Sequence, residues 1–357
     1  MIHLPFRFLS AKSSQSKSVS SETSLSNATK KTKRVNWILG LIGIGWAGLL
    51  VGCNNSTTVD ILGDWNSRSE LEGPARFGAA SFVVGTIAYM GTGTDVSNNR
   101  LKDFWAYDAS RNAWTQKADF AGVARNLGVG FAVGTNGYIG TGLDANSTRL
   151  KDFWQYNPTT NTWKAVADFG GTARQTATAF AIGTKGYVTC GFDGNYLKDM
   201  WAYDPTANAW TKVASYGGSK RVGAVSFVIN NMAYVGTGNN NNSNQLDWYV
   251  YDPAQDLWTQ KLNFITDQTS IARSYAVGFA INGKGYITCG DASTKDVWEY
   301  DPGADTWTTR GVFEGATRTY AVGWSINNKG YVTTGANSSS RFDDLWDFDP
   351  TVIQVIP

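Results

Sequence analysis

The sequence predicts an all-β fold in which six four-stranded units form a ring, a β-propeller, behind an export signal. Three observations carry this expectation: a segment of roughly 50 residues recurs six times, tryptophans return at fixed places within it, and a basic-then-apolar leader ends in a cysteine. Composition agrees. Of 357 residues, 39 are glycine, 13% are aromatic and 17% are charged, the profile of a folded β-rich chain rather than a disordered one.

The leader has its own order. Residues 1–29 are Ser-rich and unpatterned; Lys30, Lys31, Lys33 and Arg34 form a positive cluster; Val35 to Val51 is an apolar run. This is the grammar of an export signal. The run ends Leu50-Val51-Gly52-Cys53, which resembles the bacterial lipobox, whose cysteine is diacylated and becomes the new N-terminus. An uncleaved anchor is the competing reading, since this 17-residue run, interrupted only by Asn36 and several glycines, reaches the short limit of a spanning helix. The order of cluster, run and cysteine favours lipidation at Cys53. The expected location is therefore the bacterial cell envelope, lipid-anchored and facing the periplasm or the exterior. Residues 1–52 are read as signal peptide, 53–63 as linker, 64–350 as propeller and 351–357 as a C-terminal tail.

Charge excludes one class of partner. The first 52 residues hold seven Lys/Arg against Glu22 alone, leaving 24 basic and 28 acidic side chains in the remainder. A mildly acidic body does not suit nucleic acid, whose binding rests on neutralising phosphates. A monomer is expected.

The repeat sets the architecture. Arg76, Arg125, Arg174, Arg221, Arg273 and Arg318 are separated by 49, 49, 47, 52 and 45 residues, and Tyr89, Tyr138, Tyr187, Tyr234, Tyr286 and Tyr331 return the same intervals. Within one copy, an apolar strand ends at Phe131-Ala132-Val133, and Gly134-Thr135-Asn136-Gly137 signals a hairpin. Gly137 to Gly142 reads as the second strand, and Lys151 to Tyr156 alternates as a third. Asn157-Pro158-Thr159-Thr160-Asn161 is a turn, and Thr162 to Val166 the fourth strand. Such a unit cannot bury its faces without neighbours. Trp105, Trp154, Trp201, Trp298 and Trp346 recur in the third strand, and Trp65, Trp114, Trp163, Trp210, Trp258 and Trp307 in the fourth. Recurrence in every unit points to packing between blades rather than to ligand stacking.

This period and these anchors resemble the kelch repeat, from about Asp64 to Pro350, and imply a six-bladed kelch-type β-propeller. The family's usual Gly-Gly after the second strand is altered to Gly91-Thr92-Gly93 and its equivalents, including Thr189-Cys190-Gly191 and Thr288-Cys289-Gly290. Cys190 and Cys289 therefore read as small buried fillers. The sixth repeat runs out soon after Trp346-Asp347-Phe348-Asp349-Pro350, while Trp65 precedes Arg76 by 11 residues as Trp114 precedes Arg125. The N-terminal strand is thus expected to complete the last blade and close the ring.

Strand direction puts the loop before the first strand and the loop between the second and third strands on one face. Their lengths and residues vary, whereas the opposite face carries uniform Gly and Pro turns, so binding is expected on the variable face. Its candidate residues include the repeated Arg76, Arg125, Arg174, Arg221, Arg273 and Arg318. The loops add Asp95, Asp144, Asp193, Tyr196, Asn240, Asp267, Asp291 and Arg341, with Tyr275 and Tyr320 beside the repeated arginines. The arginines have two readings: a cationic mouth for an anion, or structural pairs with Asp103, Asp152, Asp199, Asp247, Asp296 and Asp344. Repetition in every blade favours the structural one.

No cofactor and no metal are expected. Galactose oxidase shares the architecture that the resemblance implies, but its copper needs histidine ligands, and the sole histidine is His3. The expected function is a binding module for a protein, peptide or glycan; the alternative is a sugar-processing enzyme similar to the six-bladed kelch sialic-acid mutarotases. The lipid assignment is directly testable. Cys53→Ala should leave the chain unprocessed, and wild-type protein should carry a diacylglycerol mass increment; a wild-type mass without it would instead favour the uncleaved anchor.

Overall fold

Alternating apolar residues and Gly-bearing turns fold each repeat into four antiparallel strands. The computed structural model describes residues 61–264, 272–291 and 295–354. The export signal, Cys53, most of the linker and Asp267 lie outside the described residues. Among the described residues, six four-stranded sheets and one two-stranded hairpin are formed. The first is typical: Ala80–Val84, Ile87–Gly91, Phe104–Asp108 and Ala113–Lys117 pair in chain order. The fold is all-β, a six-bladed propeller.

The first strands of all six blades surround the central axis, where small residues such as Ala80, Gly130, Ala179 and Ser226 line a cavity of about 270 Å³. Blades then pack face to face through large residues set against absent side chains. A Cβ on Gly137 would fall 1.9 Å from the Phe82 ring of the preceding blade, and one on Gly330 would fall 2.1 Å from Phe279. Glycine is required there because the neighbouring ring already fills the space.

Fourth-strand tryptophans lock adjacent blades. Trp163 Nε1 donates to the Ala118 carbonyl at 2.9 Å, while Asn161 Oδ1 accepts from Ala118 N and from the Tyr156 hydroxyl. The same clasp recurs with Trp114, Trp210, Trp258 and Trp307. Every recurring tryptophan in these strands serves the scaffold, as the sequence indicates.

Ring closure also follows the sequence. Leu62–Arg68 pairs antiparallel with Leu345–Ile353, giving the last blade its fourth strand. Two boundaries differ: the closing strand begins at Leu62, inside the supposed linker, and the C-terminal end is also extended. The supposed tail from Thr351 continues the third strand, with Ile353 opposite Leu62. Gln354 then takes over the clasp: its Oε1 accepts from Val312 N at 2.6 Å and its Nε2 donates to Val312 O at 2.7 Å. The asparagine or aspartate of other turns is missing from this blade because its third and fourth strands come from opposite ends of the chain. Gly63 stands at the equivalent place, and a side chain from the C-terminal end substitutes.

Trp65 is 3% exposed and packs edge-on to Phe313, with ring centroids 4.8 Å apart. Trp65→Ala should therefore cost about 3–5 kcal/mol in denaturant unfolding, and Gln354→Ala a smaller amount. A Trp65→Ala protein unfolding at the wild-type midpoint would mean that the ring does not depend on this strand.

Candidate functional site

The face chosen from the sequence is assembled by short bridges. In five blades the segment after the repeated arginine pairs with the start of the second-to-third-strand loop, Phe77 with Thr94, Asn126 with Leu143, Gln175 with Phe192, Val222 with Asn239 and Thr319 with Ala336, and in the fifth blade Asp291 N donates to Ser274 O. Both loop sets therefore lie together.

At the centre of this face, six backbone hydrogen bonds form a closed circle. Leu127 N donates to Gly78 O at 2.8 Å, Thr176 N to Leu127 O, Gly223 N to Thr176 O, Tyr275 N to Gly223 O, Tyr320 N to Tyr275 O, and Gly78 N to Tyr320 O. All six residues have φ between 51° and 66°. This left-handed backbone turns each N–H towards one neighbour and each carbonyl towards the other. Side chains cover the mouth unevenly. Tyr275 and Tyr320 stack with centroids 4.2 Å apart, and Phe77 follows 5.8 Å from Tyr320. Burial raises both phenol pKa values, so these hydroxyls stay neutral.

The six repeated arginines leave the binding face by burial. All are at most 1% exposed. Arg125 shows the arrangement: both Asp152 oxygens accept at 2.7 Å, Nη1 also donates to the Thr141 carbonyl at 3.0 Å, and Nε to Val123 O at 2.9 Å. Arg76, Arg174, Arg221, Arg273 and Arg318 pair likewise with Asp103, Asp199, Asp247, Asp296 and Asp344. Placing them on the candidate binding face is corrected: paired and buried, they are out of reach of a ligand at the surface. The structural alternative accounts for their recurrence. The same carboxylates accept from the third-strand tryptophans, as Asp152 does from Trp154 at 2.7 Å. Blade four differs, with Tyr249 in that slot and Trp248 fully buried one place earlier.

Thr141 and its equivalents explain the altered glycine pair. Thr92, Thr141, Cys190, Thr237, Cys289 and Thr334 all have φ near 60°, and each offers its carbonyl to the buried arginine. The glycine that follows, such as Gly142 at φ 99°, retains a conformation that other residues avoid. Cys190 and Cys289 are fully buried, and burial raises both thiols to about 11.

The loop carboxylates serve mainly as turn caps. Asp95 accepts from Ser97 N and Asn99 N, Asp144 from Asn146 N and Thr148 N, and Asp193 from Asn195 N and Thr172 Oγ1. Partial burial pushes the Asp95 and Asp193 carboxyls up, but these donors outweigh it and hold both below the ordinary range. A proton-transferring carboxyl needs the opposite shift. Asp291 accepts from Ser274 N and Oγ and from Asn244 Nδ2, tying blade five to the blade-four hairpin. That hairpin pairs Asn239–Asn240 with Ser243–Asn244 across Asn241 and Asn242, both left-handed. Asn240 Oδ1 is buried without a partner.

Two exposed-face groups were identifiable only in part. Tyr196 packs edge-on to Phe192, and Arg341 lies over Phe77 at 4.6 Å. Arg100 and Arg149 occupy the position of Arg341 in two other blades but were not singled out from the sequence. The signal was present in the recurring Arg-Leu-Lys-Asp of residues 100–103 and 149–152.

The KLHDC2/KLHL20/DRC7 Kelch-repeats domain matches residues 78–290. The chain belongs to the kelch-repeat family. No curated protein matches it. Among solved structures, this kelch propeller is similar to one titled "Structure of YjhT", with a TM-score of 0.67 and 16% identity over 78% of this chain and 95% of that one. At that identity the likeness shows the fold alone.

The buried pairs give a stability test. Asp152→Ala leaves the Arg125 guanidinium dehydrated and unpaired, and should cost up to about 3–5 kcal/mol. Burial opposes ionisation of Asp152 and Asp199, yet their arginines more than offset it and lower both carboxyls. Their contribution is therefore fully present above the unfolded aspartate value of about 3.9. It is lost as pH falls through the lower folded value. Wild-type stability should drop steeply below about pH 4, and the Asp152→Ala protein should show a shallower drop; equal slopes would remove this pair from the acid transition.

Proposed function

We propose that the protein is a non-enzymatic binding module, tethered outside the cytoplasm by lipid at Cys53, that holds its ligand on the loop-rich face. One observation carries this reading: the same buried Arg–Asp pair fixes all six blades, while the loops projecting beyond them vary in length and sequence from blade to blade. Scaffolds of this kind concentrate specificity where repeats diverge. Partners of protein, peptide or glycan chemistry all suit such a surface, and the acidic body still argues against nucleic acid.

The runner-up is a sugar-processing enzyme of the sialic-acid mutarotase type. The stacked Tyr275–Tyr320 pair at the mouth favours it, since flat aromatic faces suit a sugar ring. The turn-locked, acid-shifted Asp95 and Asp193 weaken it. Faster anomer exchange of free sialic acid in the presence of the protein would separate the two.

Pull-down from the native membrane followed by a glycan array supplies the ligand. Replacing Asn240, Asn241 and Asn242 with glycine should then weaken binding with little change in melting temperature, because Asn241 and Asn242 already hold glycine-like φ values of 49° and 63°. Loss of binding on changing the Lys185 or Asn136 hairpins, with the triple variant unaffected, would place the site on the other face.

A further inference from the structure

Arg100, Arg149 and Arg341 stand at one position in three successive blades. Each ends its second-to-third-strand loop and bridges back to the loop's start, at Thr94, Leu143 and Ala336. Blades six, one and two are neighbours in the ring, so these cations form one continuous arc. Blades three and four carry Tyr196 and Asn244 instead.

These arginines differ physically from the buried six. Every arginine ion pair among the described residues is made elsewhere. In all three, Nε is shielded from water and has no hydrogen-bond acceptor. Arg341 stacks on Phe77 at 4.6 Å and Arg149 on Phe192 at 4.9 Å; Arg100 Nη1 donates to Thr94 Oγ1 at 2.9 Å and, at 3.5 Å, to Asn98 O, and Arg341 Nη1 donates to Ser340 O at 3.5 Å. Stacking occupies a face of the guanidinium and leaves Nη2, at the outer edge, for an acceptor.

The nearby carboxylates do not supply that acceptor. Asp95 and Asp144 are turned into their own loops, and blade six has neutral Asn337 in the same capping role, accepting from Ser339 N and Ser340 N. Arg341 also borders an open hollow of about 440 Å³ with Val96, Ser338, Ser339 and Ser340.

We propose that this arc binds an acidic polysaccharide, with successive carboxylates meeting Arg341, Arg100 and Arg149. The inference rests on the loop-rich face being the binding surface. A cation repeated on consecutive blades matches a polymer with a charge on each unit, and a guanidinium engages each carboxylate by paired hydrogen bonds. Between the cations the loops offer hydroxyl and amide groups, at Ser97, Asn98, Ser147 and Ser338–Ser340. A peptide would want buried apolar anchors, and Val96 is the one exposed large hydrophobic residue of these three loops among the described residues.

Polygalacturonate, neutral dextran and polyglutamate serve as probes, with the full-length chain in detergent and binding read by calorimetry. Polygalacturonate should bind, dextran should not, and affinity should fall as salt rises. Arg341→Gln should weaken binding about tenfold, the loss of one charge-assisted contact, Arg341→Lys less, and the combined R100Q/R149Q/R341Q protein should lose it at unchanged melting temperature. Equal affinity of the combined variant, or no binding of polygalacturonate by wild type, would overturn the proposal. Polyglutamate binding more tightly than polygalacturonate would overturn it in favour of an acidic peptide. If the Asn240–Asn242 glycine variant loses binding while the arginine variants keep it, this inference fails and the loop-rich face survives. Loss confined to changes at the Lys185 or Asn136 hairpins would overturn both.

Discussion

Each blade depends on one buried arginine bound to one aspartate. The guanidinium joins three segments distant in sequence: the loop entering the blade, the left-handed turn after the second strand, and the start of the third strand. For Arg125 these are Val123, Thr141 and Asp152. Burying a cation would be prohibitive alone, but Arg125 makes four hydrogen bonds here, and an aromatic ring covers the guanidinium, Phe120 at 4.8 Å. The strained threonine or cysteine beside it persists because its carbonyl is held. The closed circle of backbone hydrogen bonds follows from the same anchor, since its members stand two residues after each arginine.

Much of this was legible in the sequence because repetition and burial leave the same mark. Period, strand order, tryptophan slots and the N-terminal closing strand depend on apolar patterning, which spacing reveals directly. The buried arginines were harder. A charged residue in every repeat favours a scaffold role but does not by itself exclude a mouth, and the position of its aspartate in three dimensions decides between them. Gln354 was hidden for another reason: it replaces a function performed elsewhere by Asn161 or Asp256, from the far end of the chain. No local pattern encodes that substitution.

Arg100 and Arg149 show the converse difficulty. They sit in the variable loops, yet their Arg-Leu-Lys-Asp context resembles scaffold. What distinguishes them from Arg76 is the lack of a carboxylate partner, a property of the assembled face. The aspartates nearby would pair with them on paper, but turn geometry commits Asp95 and Asp144 to backbone N–H groups.

The propeller therefore divides its charge between two tasks. Inside, six arginines are neutralised one by one, and the pairing is uniform because any departure would open a blade. Outside, among the described residues, three arginines on one side of the ring are left without a carboxylate partner, while the other side carries amides, Tyr196 and Asp291. An arrangement needed for folding would recur in all six blades, as the inner one does. The outer one interrupts the symmetry, and its uncompensated charge is borne by a scaffold whose stability is already secured by the inner pairs. That separation lets the loops diverge without cost to the ring, so the broken symmetry of the outer cations points to a ligand rather than to the fold.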